Sequence, residues 1–140
     1  MVKDYKIKNI DIGDANSDPE IKKNSCNLLK NIGLGKEIEM CFNYALKNKK
    51  LECVEDSVDF IYEYYDMIEF KEVRPGDIIL FRDNFDDYLH FARVIKKGNT
   101  INDTIIRAKF GGCGIYEHRL GDTPSCYGNR IEFWRDRGEL

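Results

Sequence analysis

Two residues of this chain, Cys41 and His90, could together carry out nucleophilic catalysis. A cysteine attacks as its thiolate, and a helix N-terminus with a neighbouring imidazole lowers the thiol pKa from about 8.5. A histidine accepts the thiol proton and later returns it to a leaving group. The pair therefore predicts cleavage of an amide or thioester, or acyl transfer, with backbone N–H groups near the cysteine binding the oxyanion.

The segment that carries Cys41 is predicted to be a short helix. Cys41 and Tyr44 lie on one face at the i, i+3 spacing, so the thiol is placed near the helix N-terminus. A second helix follows an acidic start, and Val58, Ile61 and Tyr65 recur at helical spacing along it. Both helices are expected to pack one side against a core.

The segment that carries His90 is predicted to be a strand. In 88–95, His90, Ala92 and Val94 alternate and so share one face. The turn Pro75-Gly76-Asp77 precedes a short apolar run that fits a buried strand. Runs of the same kind predict further strands, at 104–109, 115–118 and 129–134. Helices followed by antiparallel strands indicate an α+β fold, with N-terminal helices packed on a small antiparallel sheet.

The first part of the chain gives weaker signals. Residues 1–24 show no sustained period and are expected to be a loosely packed lead-in, whereas 25–140 form a single domain. Cys26, Leu28 and Ile32 fit one short helix that the following glycines would end.

The composition of the chain indicates which classes of partner are not expected. The 140 residues are 42% hydrophobic, and their nearly balanced charges leave a net charge of -3, so nucleic acid is not an expected partner. No apolar stretch approaches the roughly 20 residues that span a bilayer, and no leader pattern is seen, so a cytoplasmic protein without a membrane partner is expected. The five cysteines lack metal-binding spacing, and neither a metal nor another cofactor is expected.

The order of these features resembles the NlpC/P60-like papain superfamily of cysteine hydrolases. The resemblance rests on the cysteine that opens 41–46, the amphipathic helix after it, the strand in Pro75–Phe81 and the strand opened by His90. It implies a papain-like fold, a Cys41 nucleophile with a His90 base, and a peptide or other amide-containing substrate. Tyr44, on the face of the Cys41 helix, is a candidate for substrate binding.

The C-terminal half resembles bacterial proteins of the same superfamily whose activity is not assigned. The resemblance implies a shared site containing Lys109, Gly111 and His118, in which Lys109 binds a substrate carboxylate. Glu117 and His118 are both candidates for the group that orients the imidazole. The alternatives are a solvated turn for this pair and a lysine extended over the sheet edge for Lys109.

Two other function classes stay open on the sequence. A binding or interaction module would keep the scaffold without turnover, since no clear orienting residue follows the His90 strand. A thiol redox sensor would pair Cys41 with another of the five cysteines.

Overall fold

The protein is built around one antiparallel sheet. The computed structural model describes residues 4–9, 30–33, 40–48, 50–110 and 114–138. The two α-helices in this part are α1 (Cys41–Leu46) and α2 (Val54–Tyr64), and short 3-10 helices span Phe70–Glu72, Leu120–Asp122 and Ser125–Tyr127. The strands are β1 (Tyr5–Lys6), β2 (Lys30–Gly33), β3 (Tyr65–Ile68), β4 (Ile78–Arg82), β5 (Tyr88–Lys96), β6 (Ile105–Lys109), β7 (Ile115–Arg119) and β8 (Arg130–Asp136).

The strands form an eight-stranded sheet. Its order is β1-β8-β4-β5-β6-β7-β2, and β3 also pairs with β8. Every pairing is antiparallel. Because β5 lies between β4 and β6 in the interior of the sheet, each of its side chains must point to one face or the other.

The predicted fold class is wrong. An α+β papain-like arrangement of the NlpC/P60 type needs N-terminal helices on a small sheet, whereas here the sheet dominates and the two helices have only 6 and 11 residues. The apolar spacing that suggested a helix through Ile32 was misleading, because Lys30–Gly33 pairs with β7 as a strand. Residues 25–29 lie outside the described part.

Other predicted elements are confirmed. The apolar and alternating runs near 78, 88, 104, 115 and 129 are the strands β4 to β8, and the helix expected at Cys41 begins at that residue. Within the predicted lead-in, Tyr5 pairs with Ile131 of β8 and Ile7 is buried in the core. No helix in the described ranges is long and apolar enough to cross a membrane.

The sheet has a core on each side. We call the side covered by α1 and α2 the helix face; its buried side chains include Phe42, Ala45, Ile61, Leu80, Phe91 and Trp134. We call the other side the far face; its buried side chains include Ile79, Phe81, Ala92, Val94, Ile106, Phe110 and Phe133. Leu80 and Phe91 lie opposite each other in neighbouring strands and share the helix face.

The Pro75-Gly76-Asp77 turn has a structural role. Gly76 has φ of +95°, which a side chain would disfavour, and its N–H donates to the carbonyl of Val94 at 2.8 Å. The Asp77 carboxylate accepts from the N–H of Arg74 at 2.9 Å and from Arg135 at 2.8 and 2.9 Å. The motif therefore fixes the start of β4 against β5 and β8.

A buried carboxylate organises the opposite end of β4. Glu132 is fully buried and accepts hydrogen bonds from Arg82, from the Trp134 indole N–H at 3.0 Å and from the Tyr88 hydroxyl at 3.2 Å. Arg82 also pairs with Asp86, whose side chain is exposed. The network ties β4, β5 and β8 together, and its charges are compensated inside the fold.

Replacing Glu132 with Gln should lower the free energy of unfolding by about 1.5–3 kcal/mol, because the largely buried Arg82 guanidinium loses its buried charge partner and keeps only the exposed Asp86. The measurement is urea unfolding at pH 7. Asp86→Asn removes the exposed carboxylate from the same guanidinium and should leave stability nearly unchanged. Equal losses in the two variants would contradict the role given to the buried pair.

Candidate functional site

Cys41 opens α1 on the helix face. Its thiol accepts a hydrogen bond from the backbone N–H of Phe91 and lies near Lys109. Although part of the residue reaches solvent, burial of the thiol raises its pKa to about 11, and the Phe91 N–H and the Lys109 charge lower it only in part. At neutral pH the thiol is therefore protonated, which is the unreactive form.

His90 lies on the far face within an aromatic cluster. Its ring stacks on Phe110 at a centroid distance of 4.8 Å and also contacts Phe81 and Tyr127. The residue is 1% exposed, and its Nε2 has no hydrogen-bond partner in the described part of the chain. Burial, with a smaller contribution from His118, lowers the His90 pKa to about 3, so the imidazole is neutral at physiological pH.

The structure does not bring Cys41 and His90 together. Successive residues of a strand point to opposite faces of the sheet. The Cys41 thiol packs with Phe91 on the helix face, whereas His90, the residue before Phe91, points to the far face. The body of β5 therefore separates the two side chains. The hydrolase hypothesis stays a prediction, and this geometry provides no thiol–imidazole pair for it.

The other predicted site residues divide between the two faces. Lys109 is fully buried beside Cys41, so it does not extend over a sheet edge. Glu117 is a strand residue of β7 that pairs with Arg107 at 3.0 Å, and it is not part of a turn. Tyr44 hydrogen-bonds to Arg107 as well. These residues share the helix face, whereas Gly111 lies outside the described part.

His118 lies on the far face, as His90 does. It is buried against Phe110, and its Nδ1–H donates to the carbonyl of Arg119 at 2.7 Å. Burial lowers its pKa. Each of the two histidines has an Nε2 without a hydrogen-bond partner among the described residues, and both are parts of one buried aromatic layer.

A cavity of about 540 Å³ opens between α1, the Pro75-Gly76 turn and strands β5 and β6. Its lining combines cationic, amide, aromatic and apolar groups, from Asn43, Tyr44, Lys47, Pro75, Gly76, Arg93, Val94, Ile95 and Arg107. The charged residues in this lining are all cations. A lining whose charged residues are all cations suits an anionic group.

Two of the cations lie directly opposite each other. Arg93 of β5 pairs in register with Arg107 of β6, and like charges in that position destabilise a sheet. Glu117 compensates Arg107 and raises its pKa, with a smaller contribution from Tyr44. Among the described residues, neither Arg93 nor Lys47 has a carboxylate partner.

Asn43 builds the helical wall of the cavity. Its side-chain oxygen accepts from the N–H of Met40 at 3.0 Å, which caps α1. Its amide nitrogen donates to the carbonyls of Asn48 at 2.9 Å and Leu51 at 2.8 Å. Lys47 ends the helix at φ of +53°. These contacts hold the segment after α1 against the sheet and place Lys47 at the cavity.

Sequence reasoning missed Lys47 and Arg93. The strands on both sides of the 97–104 connection were predicted, but their sequences do not give the register in which Arg93 lies opposite Arg107. The usable signal was the presence of a basic residue among apolar neighbours in each of two consecutive strands.

Comparison with family models, with curated proteins and with solved structures finds no match for this chain. The resemblance to the NlpC/P60-like superfamily therefore stays a prediction. In the described ranges, no three His, Cys, Asp or Glu side chains are grouped so that they could hold a metal ion. The site must be judged from its own chemistry.

The buried imidazole makes stability depend on pH. The His90 pKa is lowered in the folded state, so below pH 6.5 the unfolded chain takes up the proton first and stability is lost as the pH falls towards 3. At pH 4.5 this loss is about 2–3 kcal/mol relative to neutral pH. Urea unfolding at pH 7 and 4.5 should show a smaller acid loss in His90→Leu than in the wild type. An equal loss in both proteins would contradict a neutral buried His90.

Alkylation tests the state of Cys41. A pKa of about 11 in place of 9.0 means a thiolate fraction lower by about 100-fold, so iodoacetamide should label Cys41 at least about 100-fold more slowly in the folded than in the urea-unfolded chain at pH 7. Peptide mass mapping gives the rate, and His90→Leu should not change it. Fast labelling at pH 6 that depends on His90 would refute this description and support the hydrolase hypothesis.

Proposed function

We propose that this protein is a non-catalytic binding module and that the cavity beside α1 receives the anionic group of its ligand. The observation that carries the proposal is that Arg93 lies opposite Arg107 in the cavity wall. Among the described residues, Glu117 is the one carboxylate that pairs with either arginine, and it pairs with Arg107. An anion bound between the two guanidinium groups would replace their repulsion with charge-assisted hydrogen bonds.

The arrangement suits recognition of a planar or tetrahedral oxyanion. Guanidinium groups present N–H donors in a fixed fork that matches carboxylate and phosphate oxygens. Lys47, which is exposed, adds a third cation to the lining. Pro75 and Ile95 give the same cavity apolar surface, against which the uncharged part of a ligand can pack.

A binding function agrees with the state of the thiol and the imidazole better than turnover does. An acyl transfer would need a Cys41 thiolate and a base on the helix face. Burial keeps the thiol protonated, and both described histidines belong to the far face. The basic side chains of the cavity, in contrast, are charged at neutral pH and reach open space.

Inorganic phosphate is a suitable first probe, titrated by calorimetry at pH 7.5 and constant ionic strength. Arg93→Gln should weaken binding by about 10- to 100-fold, because a hydrogen bond to a charged group contributes about 1.5–3 kcal/mol. Lys6→Gln is the matched control, since it removes one positive charge from an exposed residue three strands away from β5.

The two variants separate a site from general charge attraction. If the wild type and Lys6→Gln bind phosphate alike while Arg93→Gln does not, the cavity is the site. If both variants lose the same modest affinity, the attraction belongs to the whole surface and the proposal fails. The absence of phosphate or other oxyanion binding by the wild type would also refute it.

A further inference from the structure

The net charge of the cavity indicates how many negative charges the ligand carries. Three cations, Lys47, Arg93 and Arg107, face one described carboxylate, Glu117, which leaves a net formal charge of +2. A single negative charge would compensate half of this. A dianion would compensate all of it, so the cavity favours a group that carries two negative charges.

The two charges must be close together. Arg93 and Arg107 rise from directly opposite positions of β5 and β6, where Cβ atoms are about 4.5–5.5 Å apart. Their guanidinium groups can therefore converge on one compact group from two sides. Two carboxylates divide the two charges between two centres, whereas a phosphate concentrates them on one tetrahedral centre with three acceptor oxygens.

The remainder of the cavity is suited to an organic substituent. Tyr44 is half-buried, lines the cavity and lies near enough to Arg107 to contribute to its raised pKa, so its ring lies beside the cationic centre. Pro75 and Ile95 continue the lining with apolar surface. A substituent attached to the anionic group would pack here and add affinity that a free inorganic ion lacks.

From these observations we infer that the ligand is a phosphate monoester with an aromatic or apolar body. Arg93 and Arg107 bind the phosphate, Lys47 completes its charge compensation, and Tyr44 with Pro75 contacts the body. Glu117 acts as an internal counter-ion that holds Arg107 in place before the ligand arrives. This inference rests on the proposed function, which requires only that the cavity bind an anion.

Phenyl phosphate and phenyl sulfate test the inference, because they have the same shape but differ in charge. Calorimetry at pH 7.5 and constant ionic strength should show phenyl phosphate binding at least about tenfold more tightly than phenyl sulfate, which has one negative charge fewer. Phenyl phosphate should also bind more tightly than inorganic phosphate.

Two variants test whether the preference for phenyl phosphate arises in the cavity. Arg93→Gln should reduce the advantage of phenyl phosphate over phenyl sulfate, whereas Lys6→Gln should preserve it.

Equal affinity for the two esters, still dependent on Arg93, would overturn the phosphate-monoester inference but not the proposal of an anion-binding module. Affinity of inorganic phosphate equal to that of phenyl phosphate would overturn the organic body. Binding of none of the three probes would remove the proposed function as well. The comparison of ligands on the wild type does not depend on any variant folding.

Discussion

The side-chain alternation of β5 is the constraint on which the functional geometry depends. This strand lies in the interior of the sheet, with β4 and β6 on either side and a packed core on each face. His90 must therefore point to the far face when Phe91 and Arg93 point to the helix face. One strand thus supplies a neutral aromatic layer to one core and a cation to the cavity on the other side.

The two faces use polar groups in opposite ways. On the far face, His90 and His118 are buried and pack around Phe110, and burial lowers the pKa of each imidazole. On the helix face, the fold maintains two opposed arginines beside open space despite their repulsion. A buried neutral histidine has an evident packing role. Two opposed arginines that share a single carboxylate partner at a cavity have none, and for that reason we propose that the function lies there.

Local patterns predicted much of the fold but little of the site. Strands β4 to β8 and the start of α1 follow from alternation, short apolar runs and turn residues. The sheet dominates more than expected because Lys30–Gly33 pairs with β7, and long-range pairing of this kind leaves no period in the sequence. The sequence also did not indicate which face of β5 packs against α1, because both faces of that strand carry apolar residues and a bulge interrupts its register near Tyr88.

The cationic character of the cavity is the central claim of this account. Arginine Nε–Hε resonances in a phosphate titration followed by nitrogen-15 NMR report on it directly. We expect the Arg93 and Arg107 signals to shift and saturate with a common dissociation constant, while the signal of Arg135, bound to Asp77, does not respond. A uniform, unsaturated drift of all arginine signals, or saturable shifts at Arg135 in place of Arg93, would contradict it.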